Sequence, residues 1–272
     1  MIVARTADGL ALAGDRAGTG ARSVLFAHGG GQTRHAWAAS ARAVAARGWS
    51  VVTFDLRGHG ESDRAPDGRY ALDGFVDDVA AVAATLPEPP VLVGASLGGA
   101  AALLYAGERH GSARGLVLVD VGVRARREGI ERIIGFMQRH VDGFASLADA
   151  ASAVAAYAPR AGRTANIEGL HKNLRLDPDG RYRWHWDPAL LEGFDPTQVA
   201  RNGRVEAALR ALTIPLTVVH GGRSDVLDTA TAEETARLGR GTVTRVSDAA
   251  HMVAGDANDA FTDALLAFLE RS

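Results

Sequence analysis

A serine held between small residues, in the stretch Gly94-Ala95-Ser96-Leu97-Gly98, is the best-placed nucleophile of this chain. A hydroxyl is a poor nucleophile at neutral pH and needs a general base beside it. Imidazole is the usual base, and it needs a carboxylate to fix its tautomer and steady its charge. Of the nine histidines, His251 is the one in a loop after a late strand, in Ser247-Asp248-Ala249-Ala250-His251-Met252. Two aspartates end up at neighbouring strand ends. Asp225 closes the loop Gly222-Arg223-Ser224-Asp225, and Asp120 ends the run Gly115-Leu116-Val117-Leu118-Val119. Asp225 is the expected partner of His251, because it follows a full strand and a loop long enough to curl over the sheet edge. Asp120 is the rival, although at its strand end it could instead secure the junction with the next segment. Asp228 lies two residues too deep into the approach to the following helix. Ser96, Asp225 and His251 together would carry out nucleophilic acyl transfer, whereas G-x-S-x-G by itself suits an ordinary glycine-rich turn equally well.

The elements around these residues must put them at one edge of a sheet. Val91-Leu92-Val93 reads as a strand buried on both faces, and Ala100 to Tyr105 as a buried helix. Strand, tight turn with serine, then helix is a nucleophile elbow: the turn is so sharp that side chains at Gly94 and Gly98 would collide, and the hydroxyl is left exposed. Earlier, residues 2–16 form a hairpin about Asp8-Gly9, and Ser23–Ala27 and Ser50–Phe54 are short buried strands. Helices are expected over 36–47 and 72–86. This regular alternation implies a mostly parallel sheet with helices on both faces. It stops after Asp120. Residues 122–212 show amphipathic helices near 126–141 and 146–157, no convincing buried strand, and the polar-aromatic run Arg181-Tyr182-Arg183-Trp184-His185-Trp186-Asp187-Pro188. The pattern resumes with a strand over Leu216–Gly221, a helix over 229–238, the strand Val243–Val246 and a last helix over 259–270. The expected organisation is an α/β core made of 1–121 and 213–272, with 122–212 inserted as a helical cap.

Composition narrows the classes. Hydrophobic residues make up 47% of the 272 and charged residues 23%, enough for a sizeable core. A net charge of −2 gives no electrostatic footprint for nucleic acid or an anionic membrane. The cations are nearly all arginine, with Lys172 the one lysine. With no cysteine, thiol catalysis, disulfides and cysteine-ligated metals are excluded. No secretory pattern opens the sequence and no stretch approaches 18 apolar residues, so a soluble, cytoplasmic protein is expected.

Five pieces in order, His28-Gly29, Asp55-Leu56-Arg57-Gly58-His59-Gly60-Glu61-Ser62, Gly94-Ala95-Ser96-Leu97-Gly98-Gly99, Gly222-Arg223-Ser224-Asp225 and Ala250-His251-Met252, make nearly the whole chain resemble an α/β-hydrolase. The resemblance is to the cap-bearing microbial group of esterases, cofactor-free haloperoxidase-type enzymes and carbon–carbon bond hydrolases. The order Ser96, Asp225, His251 is the one such enzymes use, unlike the chymotrypsin-like and subtilisin-like orders. The resemblance implies a serine hydrolase acting on a carboxylic ester through an acyl-enzyme. Cleavage of vinylogous diketones and peroxide-dependent acyl transfer are alternatives on the same triad, and a non-catalytic ligand-binding protein is the alternative of a different class. An aspartate stands at the Ser96 position in epoxide hydrolases and haloalkane dehalogenases, which disfavours both.

For the oxyanion, the N–H of Leu97 at the start of the elbow helix is one expected donor. By resemblance the second is Gly30, the residue after His28-Gly29, with Gly31 left open because three successive glycines allow either peptide to turn. His28 and His59 are expected to be structural, and no cofactor or metal is expected. Trp184, His185 and Trp186 either line an apolar acyl or aryl pocket or pack the cap against the core, the second reading applying equally to Phe136, Met137 and Phe144.

Overall fold

The computed structural model of the protein describes residues 1–157, 170, 172–192, 203–256 and 258–271. Eight strands form its main sheet: β1 Ile2–Arg5, β2 Ala11–Ala17, β3 Ser23–Ala27, β4 Ser50–Phe54, β5 Val91–Ala95, β6 Gly115–Val119, β9 Leu216–Gly221 and β10 Thr242–Val246. Their spatial order is β1-β2-β4-β3-β5-β6-β9-β10. β1 and β2 are antiparallel additions at one edge, and every pairing from β4 to β10 is parallel.

Parallel strands covered on both faces should be apolar throughout, each successive side chain serving the opposite core. Leu25, Leu92, Leu116 and Leu118 point into one core, which the helices α2 (Leu72–Ala83) and α3 (Ser96–Glu108) cover. Val24, Phe26, Val91, Val93, Val117 and Val119 point into the other, against α1 (Ala38–Ala46) and the C-terminal helix Asn258–Leu269. Larger leucines on one face and β-branched valines on the other suit the two packings. Truncating a wholly buried member such as Leu92 to alanine would cost about 2–5 kcal/mol.

β6 and β9 are paired neighbours, yet the chain leaves the sheet after one and returns only at the other. Between them lie α4 (Arg127–Arg139), α5 (Leu147–Tyr157), and a small antiparallel sheet of β7 (Leu174–Leu176) and β8 (Tyr182–Trp184). The residues 158–169, 171 and 193–202 of the expected insertion lie outside the described residues. The segment 122–212 is expected to hold no convincing buried strand, and the two strands it does hold among the described residues, β7 and β8, are short and mostly half-buried. Each is three residues long, with Leu174, Tyr182 and Trp184 turned inward, towards Phe144, Ala150 and Leu170. Arg175 and Arg183 turn to Asp177 instead, so no buried-strand pattern appears. The next helix, α6 (Gly203–Ala211), already packs on the sheet core through Val205, Ala208 and Leu209.

Candidate active site

β5 delivers Ser96 to the sheet edge, and α3 starts at Ser96 itself. The serine takes φ of 46°, a left-handed conformation that non-glycine residues seldom hold outside strained functional turns. Its neighbours must be small for steric reasons. A Cβ on Gly94 would come 2.6 Å from the Gly98 carbonyl oxygen, and one on Gly98 would come 2.4 Å from the carbonyl of His28. The elbow is therefore wedged between the β3 loop and its own helix, with Ser96 partly exposed.

His251 sits on the loop that follows β10, its side chain 16% exposed. Its Nδ1 lies 2.8 Å from Oδ2 of Asp120. Asp120, not Asp225, is thus the carboxylate brought to the imidazole, and the expected assignment is corrected. The physical reason lies in both loops. β6 is the immediate neighbour of the elbow strand, with Ala95 opposite Val119, so Asp120 emerges beside Ser96. Its own left-handed φ of 50° turns the wholly buried side chain towards β9. Asp225 faces the insertion, where it forms an ion pair of 2.6 Å with Arg132 on α4. The loop Gly222–Asp225 does reach the site, through its serine: Ser224 Oγ donates to Asp120 Oδ2 at 2.5 Å and accepts the N–H groups of Val226 and Leu227.

Asp120 accepts two further hydrogen bonds on Oδ1, from the Gly221 N–H at 3.0 Å and from His220 Nδ1 at 3.2 Å. Burial would raise its carboxyl pKa, but the donors His220, His251 and Ser224 outweigh it and hold the group below the ordinary carboxylate range. His220 and Ser224 carry no distinguishing signal in the sequence. The first reads as the last apolar-run residue of a strand, and the second as one polar residue in a turn.

The loop after β3 can donate to an oxyanion in one way only. The Gly29 N–H is taken by Oε1 of Gln32 at 3.0 Å and the Gly31 N–H by Nε2 of His59 at 3.1 Å. The Gly30 N–H meets no acceptor among the described residues, and Gly30 is exposed beside Leu97, whose side chain lies 3.8 Å from where a Gly30 Cβ would be. The N–H of Leu97, in the first turn of α3, has no intrahelical acceptor. Gly30 and Leu97 thus present two free donors side by side.

His28 and His59 frame this loop as neutral imidazoles. His28 meets the Gly29 carbonyl through Nδ1 and accepts the Leu56 N–H at Nε2; His59 meets the Arg57 carbonyl and accepts the Gly31 N–H. Complete burial lowers both pKa values, that of His59 to about 3, with the adjacent His28 adding to the effect. The rest of the Asp55–Ser62 stretch is scaffold. Asp55 accepts from the Arg34 and Glu61 backbone and pairs with the Arg34 guanidinium, and Arg57 pairs with buried Asp78. No group of three or more histidine, aspartate or glutamate side chains suited to hold a metal occurs among the described residues.

Residues from between β6 and β9 pack on the loop after β3. Met137 of α4 lies 3.3 Å, and Trp186 4.0 Å, from where a Gly31 Cβ would stand. Trp186 is buried and bridges to His59, and His185 accepts the Gly60 N–H on its carbonyl. Trp184 faces away, packed edge-on against Phe144 and tilted against Phe136. The aromatic run thus divides, Trp184 packing the insertion and Trp186 the seam beside the site.

The sequence pattern of the alpha/beta hydrolase fold family matches residues 22–257. The chain is 30% identical to Esterase Rv0045c of Mycobacterium tuberculosis over 234 residues, 83% of this chain and 73% of that one. Some other curated relatives are matched over only 34% to 40% of their own length and others over 67% to 78%. Among solved structures, E-2-(acetamidomethylene)succinate hydrolase superposes with a TM-score of 0.83 at 22% identity, covering 99% of this chain and 100% of that one. An alpha/beta hydrolase from Novosphingobium aromaticivorans superposes with a TM-score of 0.81 at 26% identity, with both chains covered in full. Among the described residues no helix is long and apolar enough to cross a membrane.

Proposed function

The chain belongs to the alpha/beta hydrolase fold family, and within it we propose that it hydrolyses carboxylic esters through an acyl-enzyme on Ser96. The observation that carries this reading is the 2.8 Å contact between His251 Nδ1 and Asp120 Oδ2, beside a serine held at left-handed φ on the adjoining strand end. With Nδ1–H donated to Asp120, the Nε2 of neutral His251 is left as the base. It takes the Ser96 proton as Oγ attacks the ester carbonyl. The oxyanion that forms is met in this reading by the N–H groups of Gly30 and Leu97, since the Gly29 and Gly31 N–H groups are already taken. Collapse of the tetrahedral adduct expels the alkoxide, which leaves as the alcohol with the proton from His251. Water then attacks the acyl-enzyme with its proton passing to His251, and the acid departs as Ser96 regains its proton.

The insertion acts in this reading as a cap. Met137 and Trp186 over Gly31 favour an apolar acyl or aryl group, since such surface gains most when covered by carbon and sulfur atoms. The named esterase relative agrees with the reaction class. The test is turnover of p-nitrophenyl esters of graded acyl length by wild type and Ser96→Ala. Wild type should hydrolyse them, and the folded alanine variant should lose about 10⁴-fold or more in kcat. Comparable turnover by both would end the serine mechanism.

A further inference from the structure

Asp120 carries two histidines, and the mechanism uses only one of them. His220 is 2% exposed, stands one residue before the end of strand β9 and cannot touch a substrate. Its Nδ1 lies 3.2 Å from Asp120 Oδ1, and its Nε2 lies 3.3 Å from the Thr229 hydroxyl at the start of the helix Thr229–Leu238, here α7. An ionised carboxylate can only accept, so His220 holds a proton on Nδ1 and donates it to Oδ1, while its Nε2 stays within hydrogen-bond distance of the Thr229 hydroxyl. This sharing of one acid by two imidazoles is not needed to bury Asp120. Gly221 and Ser224 already give each oxygen a donor.

We propose that His220 is a positioning residue that tunes the base: its hydrogen bond to Asp120 Oδ1 draws charge from the carboxylate and so keeps His251 from holding its proton too tightly. The proposal rests on the reading of Ser96, His251 and Asp120 as the reacting set. The direction follows from electrostatics. A carboxylate stabilises imidazolium in proportion to the charge it concentrates on Oδ2, and each donor on the carboxylate reduces that charge. A base that stays neutral at working pH accepts the Ser96 proton; one kept protonated does not. Among the described residues Asp120 meets His220 and His251 as its titratable side-chain partners. Farther out on the packed elements are the Asp225–Arg132 pair, Asp228 at the α7 N-cap bonded to Thr231, and Arg223 bonded to the Asp248 carbonyl. The substitutions below leave all of these in place.

The experiment compares wild type, His220→Phe, His220→Asn and Thr229→Val, each checked for folding. It reads the His251 imidazole titration by NMR alongside the pH profile and kcat on a p-nitrophenyl ester. Phenylalanine keeps the ring shape and removes the donor, whereas the asparagine amide can place an N–H where Nδ1 stood. The phenylalanine variant should titrate His251 about half a unit or more higher. It should lose about threefold in kcat at pH values below the His251 midpoint, the factor that half a unit of titration gives, with little loss well above it and KM little changed. Asparagine should recover most of both. Thr229→Val, which removes the contact on Nε2 that steadies the His220 ring against Asp120, should shift the titration in the same direction by less, and it serves if the phenylalanine variant does not fold. An unmoved His251 titration in the folded variants overturns the proposal, even if their melting temperatures fall. Failure of the ester reading shows separately, as absent turnover in wild type, and leaves the titration comparison intact.

Discussion

Asp120 gathers four donors on two oxygens, from His220, Gly221, Ser224 and His251, whereas Asp225 makes a partly exposed ion pair with Arg132. The two aspartates should therefore respond differently to the same substitution. Asp120→Asn leaves the shape but places an amide where His251 needs an acceptor, and should lower kcat by about 10³-fold or more. Asp225→Asn should lower it by less than about 10-fold and cost no more than about 1 kcal/mol, the range of exposed ion pairs. Kinetics on both folded variants check this, and a reversed order would return the role to Asp225. The residue types were legible in the sequence and the choice between them was not. Both aspartates follow strands at the same edge, and what separates them is a side-chain direction set by the φ of 50° at Asp120. His28 and His59 were legible as structural. That His59 takes the Gly31 N–H, while the Gly30 N–H meets no acceptor among the described residues, follows only from the folded loop.

At the scale of elements, the elbow is the least tolerant part. Gly98→Ala would drive a methyl to 2.4 Å from the His28 carbonyl and 2.6 Å from that of Ala27. Forced overpacking of this kind costs about 1–3 kcal/mol or more. Because the same displacement would spread β3 from β5 and move Gly30 away from Leu97, activity should fall along with the melting temperature. Thermal melts and ester kinetics on the variant test both, and an unchanged melt with full activity would show that the turn has room to spare. The main-sheet strands were readable because each is a short apolar run ending at a turn, and their predicted limits agree with the fold to within a residue or two. β7 and β8 were not, since three-residue strands with arginines at the middle positions are stabilised by Phe144, Leu170 and their own ion pairs rather than by the sheet.

The whole molecule folds around buried neutral imidazoles, which ties its stability to pH. His28 and His59 have native pKa values below the ordinary 6.5, that of His59 near 3. As pH falls below about 6.5 the unfolded chain binds protons that the native one refuses. Their contribution is thus fully present above that pH and is lost as pH falls towards the native values, with a slope approaching about 1.4 kcal/mol per unit for each residue. Urea unfolding at pH 7.5 and pH 5 should show the loss, and His59→Gln, whose side-chain oxygen can still accept the Gly31 N–H, should flatten it; parallel curves would contradict this origin. At this scale the fold and the family agree, while the chemistry rests on one serine. Its most direct test is intact-protein mass spectrometry after brief exposure to a fluorophosphonate, with the adduct located by peptide mapping. Wild type should gain one phosphonyl group on Ser96, Asp120→Asn should gain it far more slowly, and Ser96→Ala should gain none. Folded wild-type protein left unlabelled at Ser96, or labelled no faster than Ser96→Ala, would contradict the proposed enzyme.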